Sequence, residues 1–183
     1  MVQPAPGILL IADPFLKDPN FSRTVIFLCE HQDQGSFGFV LNKQFGQSLD
    51  QLLTGLEGHP VPLYSGGPVQ PDTIHFLHQY PHLIPDSLPV GNDIFWGGNF
   101  ETVVSLIKAN TINPQKIKFF IGYSGWGNGQ LNDELREKSW LRVTATQQLV
   151  FHTRHNEVWK SSLKHLGGEY EMMINFPTDP QLN

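Results

Sequence analysis

The chain has 183 residues, 39% of them apolar, which is enough for one folded domain with a substantial core. Its formal net charge of −5 excludes the basic composition that proteins dedicated to nucleic acids or anionic membranes need for phosphate groups. One cysteine, Cys29, excludes an internal disulfide, and no apolar run approaches the about 20 residues of a membrane-spanning helix, so we expect a cytoplasmic protein without membrane contact.

The first part of the chain predicts strands that pair locally. Residues 7–12 form a short apolar run typical of a buried strand. Residues 24–30 are apolar on both alternating faces, which predicts a central strand, and a polar turn leads from them into residues 36–42. These two segments together indicate a β-hairpin. Residues 48–54 predict one or two helical turns capped by Ser48.

The middle of the chain predicts three short strands and a helix. The strands cover residues 61–64, 73–78 and 94–96. Asn99 can cap the helix that follows. The apolar residues of this helix recur with the spacing of one buried face: Phe100, Val103, Val104 and Ile107. Residues 116–121 return to strand.

The last third mixes strands and helices. A short helix is predicted near residues 131–138, in which Glu134 and Lys138 can form an i, i+4 ion pair. Residues 140–145 and 149–152 predict strands, and a final helix begins near Asn156. Because hairpin-like strands alternate with strands separated by helices, the pattern favours an α+β fold over a strictly alternating parallel one.

The densest functional signal is residues 121–135, IGYSGWGNGQLNDEL, with four glycines in eight residues before a predicted helix. A phosphate cradle at a helix N-terminus would suit this position, but no Gly-Lys-Ser/Thr follows. Asp133 and Glu134 lie in the first turn of that helix and would repel an anion. The pattern therefore disfavours nucleotide binding.

A serine nucleophile is a second interpretation of the same segment. Ser124 would lie on a strained strand-to-helix turn, with Asp133 and one of three histidines following it: His152, His155 and His165. The pattern G-x-S-x-G, however, requires glycine where this chain has Trp126. A bulky side chain there opposes the close packing that the sharp turn needs.

A third interpretation is a display loop in which Trp126 projects as an aromatic anchor, while Asn128 and Gln130 supply hydrogen bonds. The structural alternative is that Trp126 packs onto the core and that the glycines only permit positive φ angles. The sequence leaves both open, and Tyr123 has the same ambiguity. The candidate binding residues are Tyr123, Ser124, Trp126, Asn128, Gln130, Gly66 and Gly67.

Eight histidines raise the question of a metal site. Three of them have the spacing H-x2-H-x3-H: His75, His78 and His82. If residues 73–78 form a strand, His75 and His78 point to opposite faces and cannot share an ion. No second carboxylate or cysteine completes a fourfold set, so we predict no metal and no cofactor.

Two residues near the first strands have structural interpretations. Cys29 lies among apolar neighbours, where a cysteine is a small inert hydrophobe, so we give it no catalytic role. Arg23 precedes the central strand, and we expect its guanidinium to pair with a carboxylate and hold the loop. The candidate carboxylates are Asp13, Asp18 and Glu30.

Five segments together carry a family resemblance. They are GILLIADPFLKDPNFSRTVIFLCEH, GFVLNK, YSGGPV, FWGGNFE and, above all, IGYSGWGNGQLNDEL. In this order and spacing they resemble the YqgE/AlgH family of bacterial proteins over residues 7–177. The resemblance implies a single α+β domain with a central, largely antiparallel β-sheet and flanking short helices. Residues 1–6 and 178–183 are then tails.

The resemblance implies no catalytic site, because the family has no established one and most often has alanine where this chain has Ser124. Some members carry a transcriptional-regulator label, but the chain has no helix-turn-helix or basic surface, so we do not expect direct nucleic-acid binding. We predict a non-enzymatic binding or regulatory module with an unknown protein or small-molecule partner. The alternative is a hydrolase that uses Ser124 or a histidine-bound metal.

Overall fold

The computed structural model describes residues 1–177, which form one sheet with helices on both faces. The nine strands in this part of the chain are β1 (Ile8–Ala12), β2 (Val25–Gln32), β3 (Gly35–Val40), β4 (Leu63–Ser65), β5 (Val69–His78), β6 (Leu88–Gly91), β7 (Ile94–Trp96), β8 (Ile117–Trp126) and β9 (Trp140–Thr144). The helices are α1 (Leu49–Leu52), α2 (Phe100–Lys108), α3 (Gln130–Arg136), α4 (Gln147–Val150) and α5 (Val158–Leu166). Turns of 3₁₀ helix lie at Pro114–Lys116, His155–Glu157 and Gly168–Asn175.

The strand order is β6-β7-β5-β8-β3-β2-β1-β9, with β4 paired to the first half of β8. Neighbouring strands are antiparallel, except that β4 and β8 run parallel with Leu63 opposite Phe119. The predicted α+β fold with a central, largely antiparallel sheet is therefore confirmed. None of the helices within residues 1–177 is long and apolar enough to cross a membrane.

The local predictions succeed where the apolar pattern is simple. The predicted hairpin forms as β2 and β3, the strand at residues 94–96 coincides with β7, and Asn99 caps α2 by accepting a hydrogen bond from the Thr102 N–H. The predicted strand at residues 149–152 is wrong, because the chain there forms α4 and leaves it. The predicted tail at residues 178–183 lies outside the described residues.

The cause of that error is a cap that the apolar pattern hides. The Thr146 side chain accepts a hydrogen bond from the Leu149 N–H at 3.2 Å and starts the helix. Leu149 and Val150 then pack into the core from a helix instead of a strand. Strand β6 is not predicted from the sequence, because Pro89 interrupts a short run in which no side chain is fully buried.

Buried side chains form clusters on both faces of the sheet. The first cluster gathers residues from strands across the whole sheet, and α5 covers it with Trp159 and Leu163. On the other face, Leu131 of α3 packs with residues of β1, β2 and β3. Val103 and Ile107 of α2 pack there with residues of β5 and β8. Helices thus cover both faces of the sheet.

The two ends of the sheet approach each other. Asn92, in the turn between β6 and β7, donates its Nδ2 to the Gly7 carbonyl at 2.9 Å, immediately before β1. Its φ of 55° lies in the left-handed region, which asparagine tolerates. Gln147 then donates its Nε2 to the Asn92 carbonyl at 3.3 Å. The sheet therefore curls around the first cluster.

The predicted ion pair of Arg23 is wrong. Its guanidinium lies 4.8 Å from the centroid of the Trp159 ring and donates a hydrogen bond to the Phe176 carbonyl. Arg23 has a φ of 53°, which turns the side chain toward α5 and the end of the described chain. A stack on an aromatic ring and a carbonyl acceptor replace the carboxylate that the sequence suggested.

Candidate functional site

The glycine-rich segment is mostly strand. One interpretation of the sequence is a display loop around Trp126, but β8 continues to Trp126 and pairs there with β3, where Ser36 is opposite Trp126. The open edge of β3 supplies backbone partners, so the chain stays extended in spite of its glycines. Asn128 remains exposed in the following turn, and Gly129 starts α3 with a φ of 71°.

The bend at Gly66 and Gly67 packs against this strand. A Cβ on Gly67 would lie 2.2 Å from the Tyr123 carbonyl carbon, and one on Gly66 would lie 2.4 Å from the Gly122 oxygen. The Gly66 N–H donates to the Ile121 carbonyl at 2.9 Å. The two segments, which lie far apart in the sequence, are thus in direct backbone contact. Their glycines serve that contact and leave no room for a ligand between them.

Ser124 is fully buried in β8, and its hydroxyl donates to the Gly66 carbonyl at 3.0 Å. A strand residue with this partner does not have the exposed position of a nucleophile at a strand-to-helix turn. Another serine, Ser36, hydrogen-bonds His31 Nδ1 at 2.7 Å, but these residues are direct cross-strand neighbours of the β2–β3 hairpin. Within residues 1–177, no carboxylate forms a hydrogen bond with the His31 ring.

The interpretation in which Trp126 projects from the surface is wrong. Its side chain is only 6% exposed and packs in the cluster that α3 covers. Its indole Nε1 donates to Glu134 Oε2 at 2.9 Å, and the Trp140 Nε1 donates to the same oxygen at 2.8 Å. Because an apolar neighbourhood and a carboxylate acceptor satisfy both parts of the indole, it lies inside. The predicted pair of Glu134 with Lys138 is replaced by these bonds.

Gln130 acts within the turn that begins α3. Its Oε1 accepts a hydrogen bond from the Gly127 N–H at 3.0 Å, and its Nε2 donates to Glu134 Oε1 at 3.0 Å. Both polar atoms of the side chain are therefore engaged by the protein. Two of the predicted binding residues with large side chains, Tyr123 and Trp126, line a cleft, and of these two only Tyr123 has a partly exposed side chain.

Gly122 determines where Tyr123 points. Alternation along a strand would place Phe120 and Tyr123 on opposite faces. Gly122 has a φ of 69°, and the pairing of β5 with β8 shifts register between Val69 and Ile74. This irregularity resets the alternation, so that Tyr123 joins Phe120 at the first cluster. The positive φ angle that the glycines were predicted to permit occurs at Gly122, and there it orients Tyr123.

Four partly exposed rings on β3, β5, β7 and β8 line a cleft of about 470 Å³, here called the aromatic cleft: Phe37, His75, Trp96 and Tyr123. The mostly buried Trp126 also borders this cleft. Phe37 lies 5.0 Å from Trp96 and 6.0 Å from Tyr123 between ring centroids. His75 lies 5.9 Å from Tyr123 and 6.3 Å from Trp96. All four rings are partly exposed, so the cleft has a continuous aromatic surface.

The aromatic cleft carries little charge. Glu30 is the acidic side chain in its lining, and it is exposed at the rim. Burial lowers the pKa of His75, so this imidazole is neutral at pH 7. The His75 Nε2 is 3.0 Å from the Thr73 hydroxyl, which fixes the orientation of the ring. The site can therefore offer flat apolar contacts with one negative group at its edge.

The histidines do not gather around an ion. His75 contacts Tyr123 on one face of β5, whereas His78 is fully buried on the other and hydrogen-bonds the Gly97 carbonyl at 2.9 Å. The opposite-face prediction is thus confirmed. Burial lowers the pKa of His78. Within residues 1–177, no three His, Cys, Asp or Glu side chains are close enough to hold a metal ion.

Sequence reasoning missed two charged residues that the fold places in unusual surroundings. Glu134 accepts hydrogen bonds from two indole groups, and Lys118 is buried in β8 with 5% of its surface exposed. Only the position of Lys118 within the apolar run KIKFFI gave a signal, because a strand that is buried on both faces buries every side chain.

Comparison with known proteins shows which family the chain belongs to. The model of the family described as DUF179, AlgH-like, matches residues 9–171. The chain belongs to the AlgH-like family. A UPF0301 protein of Chlorobium limicola, similar over 97% of this chain and 95% of its own length, is 42% identical to this AlgH-like chain over 178 residues.

Solved structures agree with this AlgH-like assignment. The solution structure of the AlgH protein from Pseudomonas aeruginosa, a UPF0301 protein, superimposes with a TM-score of 0.75 at 31% identity, covering 97% of this chain and 98% of that one. Protein DIP2367 from Corynebacterium diphtheriae superimposes with a TM-score of 0.81 at 21% identity, covering 96% and 94%. The second likeness concerns the fold alone. The predicted family resemblance is confirmed.

Proposed function

We propose that the protein is a non-enzymatic binding module that recognises a flat apolar group, neutral or positively charged, in the aromatic cleft. The observation that carries this proposal is the set of four contacting, partly exposed rings that Gly122 helps to assemble around Tyr123. Aromatic side chains present large contact areas with little loss of conformational entropy, so an exposed group of them favours binding. A regulatory role would act through the bound group instead of direct nucleic-acid contact.

The charge of the cleft selects among flat ligands. Glu30 at the rim attracts a cation and repels an anion, and the neutral His75 adds no positive charge. The ring faces of Trp96 and Tyr123 are themselves attractive to cations. We therefore expect a positively charged aromatic ligand to bind better than its neutral counterpart, and the neutral one better than an anion.

Two further observations support a binding function over the hydrolase alternative. Ser124 is buried and its hydroxyl already hydrogen-bonds the Gly66 carbonyl, and the cleft side of β8 presents Tyr123 and Gly125.

We also propose a cytoplasmic location, which the single cysteine supports: Cys29 is buried, and burial raises the pKa of its thiol.

The test is a titration of the full-length protein with three probes that share an indole ring: tryptamine, indole and indole-3-acetate. We expect saturable binding that is tightest for tryptamine, weaker for indole and weakest for indole-3-acetate. NMR chemical shifts of residues in the cleft measure this binding. Tyr123→Leu should weaken tryptamine binding at least about fivefold, since one aromatic contact contributes about 1 kcal/mol. Phe15→Ala, which removes an exposed ring elsewhere, should leave the affinity unchanged.

Equal binding of the three probes, or tryptamine affinity unaffected by Tyr123→Leu, would contradict the proposal. Competition then separates the possible sources of the group. A lysate is divided by ultrafiltration into small molecules and proteins, and each fraction is added to the tryptamine complex. Displacement by the filtrate indicates a small-molecule ligand, and displacement by the retained fraction indicates a side chain of a partner protein.

A further inference from the structure

A second cavity, of about 420 Å³, lies beside the beginning of β8 and shares no lining residue with the aromatic cleft. β8 begins at Ile117, whereas its parallel neighbour β4 begins opposite Phe119. The segment before β4 contains Pro60 and Pro62, which have no N–H to donate to a strand partner. The first residues of β8 are therefore left uncovered on this side, and the cavity occupies the space.

The wall of this cavity is largely apolar. Ile107 from α2, Phe119 from β8 and Phe151 after α4 contribute to it. Its titratable side chains are His59 before β4, Tyr64 in β4, Lys118 in β8 and His152 after α4, and α2 contributes none. Within residues 1–177, the lining contains no carboxylate. The cavity is thus mostly apolar, and its lining has basic side chains but no acidic one.

Lys118 is the buried cation of this cavity. Its Nζ donates one long hydrogen bond, at 3.4 Å, to the Val150 carbonyl and lies 4.1 Å from the centroid of the Tyr64 ring. An ammonium group has three N–H donors, so this partner set leaves it short of acceptors. A buried charge is unfavourable unless it is paired and hydrogen-bonded. The same burial lowers the pKa of Lys118 to about 7.

We propose that this cavity binds a small organic carboxylate, whose carboxylate pairs with Lys118 and whose apolar body lies against Ile107 and Phe151. The ligand would supply acceptor oxygens to the Lys118 ammonium, whose one protein acceptor within residues 1–177 is the Val150 carbonyl at 3.4 Å, and the carboxylate that the lining lacks. A monoanion fits better than a phosphate ester, because a single lysine faces a wall that is otherwise mostly apolar. This site is independent of the aromatic cleft and goes beyond the function proposed for it.

The first experiment is calorimetry on the full-length protein with 4-phenylbutyrate and its neutral analogue 4-phenylbutanamide. It is carried out at about pH 8 in two buffers with different ionisation enthalpies. Lys118 is mostly neutral there and becomes charged when it pairs with the carboxylate, so binding takes up close to one proton. The amide should bind more weakly and take up no proton.

The second experiment compares two lysine variants. Lys118→Met removes the ammonium but keeps an unbranched buried side chain, so we expect loss of proton uptake and at least about tenfold weaker binding of 4-phenylbutyrate. Lys116→Met changes an exposed lysine two residues away and should match the wild type. The proposal is overturned if the carboxylate and the amide bind equally, if neither binds at millimolar concentration, or if Lys118→Met retains the affinity. Should that variant not fold, the proton count of the wild type still decides.

Discussion

Glu134 joins two strands by accepting hydrogen bonds from a tryptophan of each, Trp126 in β8 and Trp140 in β9. One of its oxygens accepts the indole N–H groups of Trp126 and Trp140, and the other accepts the Gln130 amide. The two indole rings lie 6.1 Å apart in an edge-to-face arrangement. A carboxylate on α3 therefore holds the end of β8 and the start of β9 to one helix. The motif that suggested a binding loop includes a structural clamp.

Replacing this carboxylate should destabilise the fold. Glu134→Ala leaves two mostly buried indole N–H groups without their acceptor, so we expect the free energy of unfolding to fall by about 2 kcal/mol. Urea denaturation followed by tryptophan fluorescence measures this change. Glu137→Ala, at an exposed position after the same helix, should change stability by less than about 0.5 kcal/mol. Similar values for both variants would show that the hydrogen bonds of Glu134 with the two indole groups do not stabilise the fold.

At the scale of elements, the contact of the Gly66-Gly67 bend with β8 brings two glycine-rich segments together. Gly67→Ala should be severely destabilising, because its Cβ would overlap the backbone of Tyr123, which cannot move aside. We expect a loss of at least about 3 kcal/mol, or no folded protein, in thermal and urea denaturation.

A matched control separates this overlap from conformational strain. Gly97 also has a positive φ, 68°, but a Cβ there would meet nothing within 4 Å. Gly97→Ala should therefore lose only about 1 kcal/mol, the penalty of placing an L-residue in the left-handed region. If Gly67→Ala proves as mild as Gly97→Ala, the backbone contact does not stabilise the fold.

The same contact explains how far the sequence could predict the site. Short-range patterns identified the β2–β3 hairpin, β7 and the cap of α2, because alternation and capping act within a few residues. The fate of residues 122–126 depended on β3 and on the bend after β4, which lie far away in the chain. Glycine content indicated flexibility, whereas distant backbone partners fixed these residues as a strand.

The aromatic cleft could not be predicted for a related reason. Tyr123 was a candidate from its motif, but Phe37, His75 and Trp96 come from three other strands. Only the strand order brings them together, and local patterns do not determine strand order. The reset of alternation at Gly122 adds a second obstacle, since a regular strand would have placed Tyr123 on the other face.

At the scale of the whole molecule, Lys118 links stability to pH. Its pKa is about 7 in the fold, below the about 10.4 of an unfolded lysine, so between these values the unfolded chain binds more protons. The contribution of this group to stability therefore rises with pH across that window. Cys29, whose pKa burial raises, acts in the opposite direction at the alkaline end.

A difference measurement removes the contribution of Cys29, which wild type and variant share. Lys118→Met should be more stable than the wild type at about pH 7, and this advantage should shrink by about 3 kcal/mol toward pH 10. Denaturation in urea across this range measures it. Lys160→Met, at an exposed position on α5, should show a difference from the wild type that does not vary with pH. A flat difference for Lys118→Met would mean that Lys118 titrates normally.

The place of β1 in the sheet has a consequence during synthesis. β1 lies between β2 and β9. Its partner β2 leaves the ribosome soon after it, but its other partner, β9, leaves much later, because Ile8 of β1 pairs with Thr144 of β9. At about 10 residues per second, the β9 edge of β1 waits on the order of 10 s for its partner. An unpaired apolar strand edge invites association with other chains. The nascent protein is therefore most exposed to aggregation until β9 has emerged, and chaperone contact before that point would favour its yield.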